Sequence, residues 1–531
     1  MSFQNRSRGR VPSARASGAV GSAPARNVVA LALGLTLTGC HPAPRPAIAP
    51  RPSPIQQLQR DIDAILAAPA LEHSFWGVLI KSLAVPGFAQ SAESARGLTP
   101  DGTLYSLNAL KLLMPASNMK IVTLAATADR LGWNHEYETR LLAAGPIEAG
   151  TLRGDLIVVG SGDPSIGGRD GPATRVFEAW ADELKARGLR RIDGRVIGDD
   201  NVFEDETLGT GWTWDDLGEG YAAGAGALQF NENTVRATIA PGLAAGDAAI
   251  VSVEPVGSGL MIRNELRTLA SGARASIDAR RLPGSTEVTL HGSVPLGSAP
   301  TAHTLSVDNP TLFFVTVLRN TLIARGITVA GAAVDIDDIS DPPPRGTATL
   351  LLSHRSPPLS TLAATLMKVS QNLYAETFLK TIGAAEGVAT AAAGRATVRA
   401  VLLPWGIDEG GLIQRDGSGL SRYNYVTPQT LVAILTHVDR DDRLRGAFES
   451  ALPIAGRDGT LARRMAGTPA EGNARAKTGS IANARALSGY VRTADGEPLV
   501  FSILGNNFET PAGVIEQAAD AIVVRLAQFR R

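Results

Sequence analysis

Apolar residues recur along this chain with two periods, and the alternation between them sketches its elements. Ile55, Leu58, Ile62 and Leu66 repeat at the helical period and predict a helix. Phe75-Trp76-Gly77-Val78-Leu79-Ile80 is a continuous apolar run and predicts a buried strand. The Gly/Ser/Ala-rich stretch Ala84 to Asp101 reads as an exposed loop. Pro115-Ala116-Ser117-Asn118-Met119-Lys120 then opens a run in which Ile121, Leu124, Ala125 and Ala128 share one helical face. Pro115 suits a chain entering that helix.

From Gly145 to about Arg345 the texture changes and repeats itself. A short strand at Leu156 to Val159 precedes an amphipathic helix on Val176, Phe177, Trp180 and Leu184, which ends at Ala186-Arg187-Gly188. A strand near Val196-Ile197 follows. The same order returns with a helix on Leu312, Phe313, Leu318 and Leu322, then Ala324-Arg325-Gly326 and a strand near Val334. Gly188 and Gly326 occupy the position just past a helix end that favours glycine. This pseudo-repeat predicts an α/β domain over 146–235 and 301–345. The short alternating segments of 236–300, broken by Gly and Pro, predict a small β subdomain inside it. Asp341-Pro342-Pro343-Pro344-Arg345 reads as the exit linker.

The C-terminal third returns to helices. One is built on Leu359, Leu362, Ala363 and Leu366 and runs into Ser370-Gln371-Asn372. Asp416-Gly417-Ser418-Gly419 makes a tight turn, and Thr427-Pro428 starts another amphipathic helix. Lys477-Thr478-Gly479 leads into two apolar segments around Asp495-Gly496, a predicted hairpin, and a last helix carries Ile515, Ala518, Ile522 and Leu526. The segments 55–145 and 346–531 are therefore expected to form one domain that the middle of the chain interrupts.

At 531 residues the chain exceeds what one core usually organises. With 44% apolar and 19% charged residues it reads as globular. Lys plus Arg and Asp plus Glu both number 51, so no bulk charge would attract nucleic acid. Cys40 is the single cysteine, and the seven histidines form no H-x-x-x-H pair, so neither metal nor cofactor is expected. The first 26 residues are rich in Arg, Ser and Ala without an acidic residue, and an apolar run from Val28 to Leu37 follows. That pattern predicts an export signal, with an organelle transit peptide as the alternative. Leu37-Thr38-Gly39-Cys40 resembles the lipobox of bacterial lipoproteins. The resemblance implies a signal peptide over 1–39, lipidation at Cys40, and a Pro-rich tether over 40–54 leading to a periplasmic body.

The chemistry starts at Ser117-Asn118-Met119-Lys120. A spacing of three places the Lys120 amine and the Ser117 hydroxyl on one helical face. A hydroxyl becomes a nucleophile when a neighbouring base takes its proton, and a lysine kept neutral by burial or by nearby cations can be that base. Alone, the pair reads equally as a helix cap beside a solvated lysine. It is the one S-x-x-K in the chain, and Ser370-Gln371-Asn372 and Lys477-Thr478-Gly479 follow it in order. Serine penicillin-binding proteins and class A β-lactamases pair these same three motifs.

The long gap between the first two motifs narrows the match. The chain resembles the D-alanyl-D-alanine carboxypeptidase/endopeptidases of penicillin-binding protein 4 type, the low-molecular-mass class C penicillin-binding proteins. Beyond the three motifs the resemblance rests on Gly198-Asp199-Asp200, Gly211-Trp212-Thr213-Trp214-Asp215-Asp216, Asn372-Leu373-Tyr374-Ala375-Glu376 and Asp416-Gly417-Ser418-Gly419-Leu420-Ser421. It departs at Gln371, where many members carry Asp, and in the lipobox, where many have an ordinary cleaved signal.

The resemblance implies an α/β (α+β) fold, a serine β-lactamase/penicillin-binding-protein-like transpeptidase domain with a large two-domain insertion. It implies cleavage of D-Ala-D-Ala or D-Ala-meso-diaminopimelate bonds in peptidoglycan stem peptides, and covalent inhibition by β-lactams. Ser117 would be the nucleophile, Lys120 the general base, and Ser370 the proton relay to the leaving amine. Asn372 would hold Lys120 and the substrate amide. Lys477 and Thr478 would bind the terminal carboxylate, Lys477 also keeping Lys120 neutral by repulsion. Gly479 would let the substrate lie along the strand, and the backbone N–H groups of Ser117 and Ser480 would form the oxyanion hole. Two alternatives stand beside it: a β-lactamase or esterase on the same fold, and a non-catalytic lipoprotein that binds cell wall. A Ser-His-Asp hydrolase is disfavoured because the chain has no G-x-S-x-G elbow.

Overall fold

The computed structural model describes residues 52–84, 99–169, 171–384 and 387–531. The expected signal peptide, Cys40, nearly all of the tether and most of the loop from Ala84 to Asp101 lie outside those residues.

The strand expected at Phe75 spans Phe75–Ser82 and is the second strand, an interior one, of a five-stranded antiparallel sheet. Its neighbours are Thr103–Leu107 on one side and Pro498–Asn506 on the other, followed by Ala484–Arg492 and, at the edge, Arg475–Ile481. The expected hairpin around Asp495-Gly496 is the pair Ala484–Arg492 and Pro498–Asn506. Chain ends more than 400 residues apart thus meet in one sheet, Val78 lying opposite Ile503. Helices Pro54–Leu66 and Ala512–Ala527 cover one face through Ile55, Leu58, Ile62, Ile515, Ile522 and Leu526, all fully buried. Ser53 caps the first of these in a reciprocal capping box with Gln56. The other face packs against a helical core containing Met119–Leu131, Leu359–Lys368, Asn372–Thr381 and Pro428–Arg440.

A second core occupies the middle of the chain. Strands Ala333–Asp335, Val196–Asp199 and Asp155–Val159 are parallel, and Glu138–Ala144 and Thr349–Arg355 extend the sheet antiparallel. The pseudo-repeat is visible as matched geometry. After each helix, Arg175–Ala186 and Pro310–Ala324, a glycine with positive φ closes a Schellman turn: Leu189 N–H donates to Leu184, and Ile327 N–H to Leu322. The strands that follow pair in parallel with each other, Thr328–Val329 with Arg191–Ile192 and Ala333–Asp335 with Val196–Asp199.

Two expected limits fall inside this sheet. Strands Glu138–Ala144 and Thr349–Arg355, on the far sides of 145/146 and 345/346, pair with each other from Glu138 to Ala143. Long-range pairing overrides the change of texture at Gly145 and the proline linker. The β segment also differs from expectation. Thr301–Ser306 pairs with Thr234–Ala240, and Ala237, Ile239, Val288 and Leu290 share one apolar cluster with Phe177 and Phe313.

Candidate active site

Ser117 sits in a single 3₁₀ turn, Ala116–Asn118, immediately before the helix Met119–Leu131. Ala116 takes φ +45, a left-handed conformation that costs a non-glycine residue about 1–2 kcal/mol. The helix behind it is buried on every side from Met119 to Ala128, more than the one-faced pattern expected.

Lys120 is fully buried, and its Nζ has three neighbours. It lies 3.0 Å from Ser117 Oγ, 2.6 Å from Asn372 Oδ1 and 2.8 Å from the Ser418 carbonyl oxygen. Burial pulls its ammonium down to about 7, against the opposing pull of Asp416 and Glu376. Burial was one of the two causes expected, beside the cation of Lys477, and it is the larger here. Lys477 likewise holds its proton less tightly than usual, well below the ordinary lysine range, through burial first and its neighbour Lys120 second.

Ser370 and Asn372 flank a break between helices Leu359–Lys368 and Asn372–Thr381. Ser370 has φ +63, a second strained non-glycine beside the site. Its Oγ accepts a hydrogen bond from Lys477 Nζ at 2.8 Å. Gln371 caps the following helix, accepting from Leu373 N–H at 2.9 Å, while its amide donates to Glu232 of the middle segment. An aspartate could supply that cap equally well, which explains why this position tolerates the departure noted above. Asn372 Nδ2 donates to the Tyr221 carbonyl at 2.7 Å, another contact with the middle segment.

Lys477-Thr478-Gly479 lies on the edge strand Arg475–Ile481, as its position at a strand start suggested. Asn118 ties that strand to the serine turn through the Lys477 carbonyl, 3.0 Å away. A cavity of about 590 Å³ opens between them. It is lined by Ser117, Ser370, Asn372, Thr478 and Ser480, joined by Asp216 and Tyr221. Neither lysine lines it, since both are completely buried. Gly479 packs closely against the serine turn. A methyl group there would lie 2.6 Å from the Pro115 carbonyl oxygen and 3.1 Å from Ser117 N, so its bareness lets strand and serine turn touch.

Four residues, Glu376, Asp416, Trp212 and Tyr221, went unassigned by sequence reasoning. Glu376 accepts the N–H groups of Gly417 and Ser418, each at 2.8 Å. Asp416 accepts from Gly419 N–H, Ser421 N–H, Asn424 and the Trp212 indole, the last at 2.9 Å. Tyr221 contributes its carbonyl. All four lie in, or a few residues beyond, the segments quoted for the resemblance, which was the available signal. Elsewhere, Asp200, Asp335 and Asp337 bring carboxylate oxygens within 4.8 Å of one another, and Asp200 Oδ1 is buried there without a hydrogen-bond partner.

Residues 58–529 match the model of the D-Ala-D-Ala carboxypeptidase 3 (S13) family. The D-alanyl-D-alanine carboxypeptidase of Actinomadura sp. (strain R39) is 34% identical over 510 residues, covering 94% of this chain and 89% of that protein. D-alanyl-D-alanine carboxypeptidase DacB of Haemophilus influenzae is 27% identical over 422 residues, 78% of this chain and 85% of its own. The crystal structure of penicillin binding protein 4 (dacB) from H. influenzae superposes with a TM-score of 0.75 at 25% identity, covering 90% of this chain and 99% of that one. A second structure of that protein, complexed with a β-lactam, superposes with a TM-score of 0.67 at 24% identity, covering 89% and 97%. The expected transpeptidase-type fold is present, and the chain belongs to the D-Ala-D-Ala carboxypeptidase 3 (S13) family.

Proposed function

We propose that Ser117 is the nucleophile and Lys120 the general base of this serine D-Ala-D-Ala carboxypeptidase. One observation carries the assignment: of the three groups around Lys120 Nζ, two are carbonyl oxygens that can only accept, and the third is the Ser117 hydroxyl. A neutral amine gives its two N–H bonds to Asn372 and Ser418 and is left with a lone pair facing Ser117. As Ser117 Oγ attacks the carbonyl carbon of the D-Ala-D-Ala bond, its proton passes to Lys120 Nζ. Ser370 delivers its hydroxyl proton to the departing D-alanine nitrogen as the C–N bond breaks and takes a replacement from Lys477 Nζ. Water then attacks the ester on Ser117, its proton returning to Lys477 through Ser370, while Lys120 gives its proton back to Ser117 Oγ as the ester C–O bond breaks. The N–H groups of Ser117 and Ser480 serve the developing oxyanion.

The terminal carboxylate of the substrate meets Thr478 and Ser480, which line the cavity. Lys477 acts behind them through the Ser370 hydroxyl. β-Lactams acylate Ser117 by the same attack, in keeping with the β-lactam-complexed relative. D-Ala-meso-diaminopimelate cross-links are a second substrate class, since the cavity opens toward Asp216 and Tyr221 of the middle segment. That segment is a two-part insertion into the catalytic domain, with limits near 137 and 356 where its paired outer strands begin and end.

The chain is exported and held at a membrane through a lipid on Cys40, a reading supported by Leu37-Thr38-Gly39-Cys40. No described helix is long and apolar enough to cross a membrane. Cys40→Ala should release the protein from membranes, and a native protein already free of them contradicts the anchor. The activity is tested by incubating the purified protein with a stem pentapeptide ending in D-Ala-D-Ala and with cross-linked peptidoglycan. Mass spectrometry should show release of D-alanine, abolished in Ser117→Ala. Release that survives this substitution overturns the assignment.

A further inference from the structure

Lys120 is held from two sides by the helix Asn372–Thr381, and one of them is indirect. Asn372 reaches Nζ directly, at 2.6 Å. Glu376, one turn further along the same face, reaches it through the turn at Ser418. Both oxygens of this buried carboxylate are engaged: Oε2 accepts the Gly417 N–H and Oε1 the Ser418 N–H, each at 2.8 Å. The carbonyl of Ser418 then points at Lys120 Nζ from 2.8 Å. Thr123, on the serine helix, fastens the same turn by donating to the Gly417 carbonyl at 2.7 Å.

We propose that Glu376 is a positioning residue for acylation: as a carboxylate it clamps Gly417 and Ser418, so that the Ser418 carbonyl occupies one N–H of Lys120 and turns the amine's lone pair toward Ser117. The proposal rests on the reading of Lys120 as base. Without the Ser418 carbonyl, a neutral amine could rotate and offer an N–H to Ser117 Oγ, which leaves no acceptor for the serine proton. The clamp needs the ionised form, because a protonated carboxyl presents an O–H to one of two backbone donors.

Several charges face Glu376. Asp416 lies on the turn, Lys120 on the serine helix, and Lys380 one turn along its own helix. Burial first and Asp416 second push the Glu376 carboxyl above its usual range. Acylation then requires two groups to be deprotonated on the acid side, Lys120 for its lone pair and Glu376 for its grip.

The test is the pH profile of benzylpenicillin acylation, followed by intact-mass spectrometry, for wild type, Glu376→Gln and Lys120→Ala, with a melting temperature for each. Glu376→Gln keeps the shape but sets an amide NH₂ against a backbone N–H. It should fold and acylate about 10–100-fold more slowly, short of the loss from removing the base itself. The acid limb of wild type should steepen beyond a slope of one over the pH range in which Glu376 takes up a proton, and that of Glu376→Gln should keep a slope of one throughout. Native acylation by a folded Glu376→Gln overturns the proposal. So does a slow variant whose acid limb is unchanged, since that marks a structural part only. Should Glu376→Gln fail to fold, wild type decides: an acid limb with a stretch steeper than one supports the clamp, and a slope of one throughout overturns it. Failure of the base reading is separate and shows as native acylation by Lys120→Ala.

Discussion

Gly479 stands so close to Ser117 that a methyl group on it would lie 3.1 Å from the serine nitrogen and 2.6 Å from the carbonyl oxygen of Pro115. Backbone atoms cannot yield as a side-chain tip can. Gly479→Ala should therefore push the edge strand off the serine turn. The expected cost is about 1–3 kcal/mol of stability, with at least about a tenfold loss of acylation because reacting groups lose their alignment. Thermal unfolding and a benzylpenicillin time course check this. A variant with native values of both shows that the approach is unimportant.

Ser370 joins the buried Lys477 to the cavity, since it lines the cavity and its hydroxyl accepts from Lys477. Ser370→Ala removes the relay and leaves the Lys477 ammonium one acceptor short. D-Alanine release should fall about 10²–10⁴-fold, the usual worth of a positioned proton donor. Noncovalent binding of the peptide should persist, because Thr478 and Ser480 remain. Turnover near the native rate would remove Ser370 from the mechanism.

Trp212 reaches from the middle segment to Asp416 at 2.9 Å. Trp212→Phe keeps the ring's bulk and withdraws one donor from a buried carboxylate, a loss of about 1–3 kcal/mol. The expected readout is a lower melting temperature together with slower acylation, since Asp416 braces the turn that carries Ser418. A drop in stability alone would mean that the contact serves only to dock the segment.

The way these contacts are distributed explains what could be read in the sequence. Ser117, Lys120, Ser370, Asn372 and Lys477-Thr478-Gly479 were visible because each motif is local and begins or interrupts an element. Their meeting was inferred by resemblance. The closeness of Gly479 to Pro115 and the clamp of Glu376 on Gly417 and Ser418 join residues far apart in the chain, and no periodicity encodes them. The same holds for Glu138–Ala144 and Thr349–Arg355, whose mutual pairing moved the expected limits of the middle segment. Burial was named in advance as one way to keep Lys120 neutral, but its completeness escaped, because burial on all sides is a property of the assembled core.

Lys120 should leave its mark on stability as well as on rate. Its folded affinity for a proton lies near 7, against an ordinary value of 10.5. Between those values the unfolded chain binds a proton that the folded chain does not, so this group's contribution to stability rises with pH. The slope is at most about 1.4 kcal/mol per pH unit. Denaturant unfolding between pH 7 and 10 should show a shallower rise for Lys120→Met than for wild type. Equal slopes would indicate that Lys120 stays charged in the folded protein.

The most direct test of the central claim is the mass of the intact protein after incubation with benzylpenicillin. Wild type should gain one penicilloyl group, mapped by peptide digestion to Ser117. Lys120→Ala should gain it about 10²–10⁴-fold more slowly, and Ser117→Ala should gain none. An adduct that persists in Ser117→Ala, or acylation of Lys120→Ala at the native rate, would contradict the account.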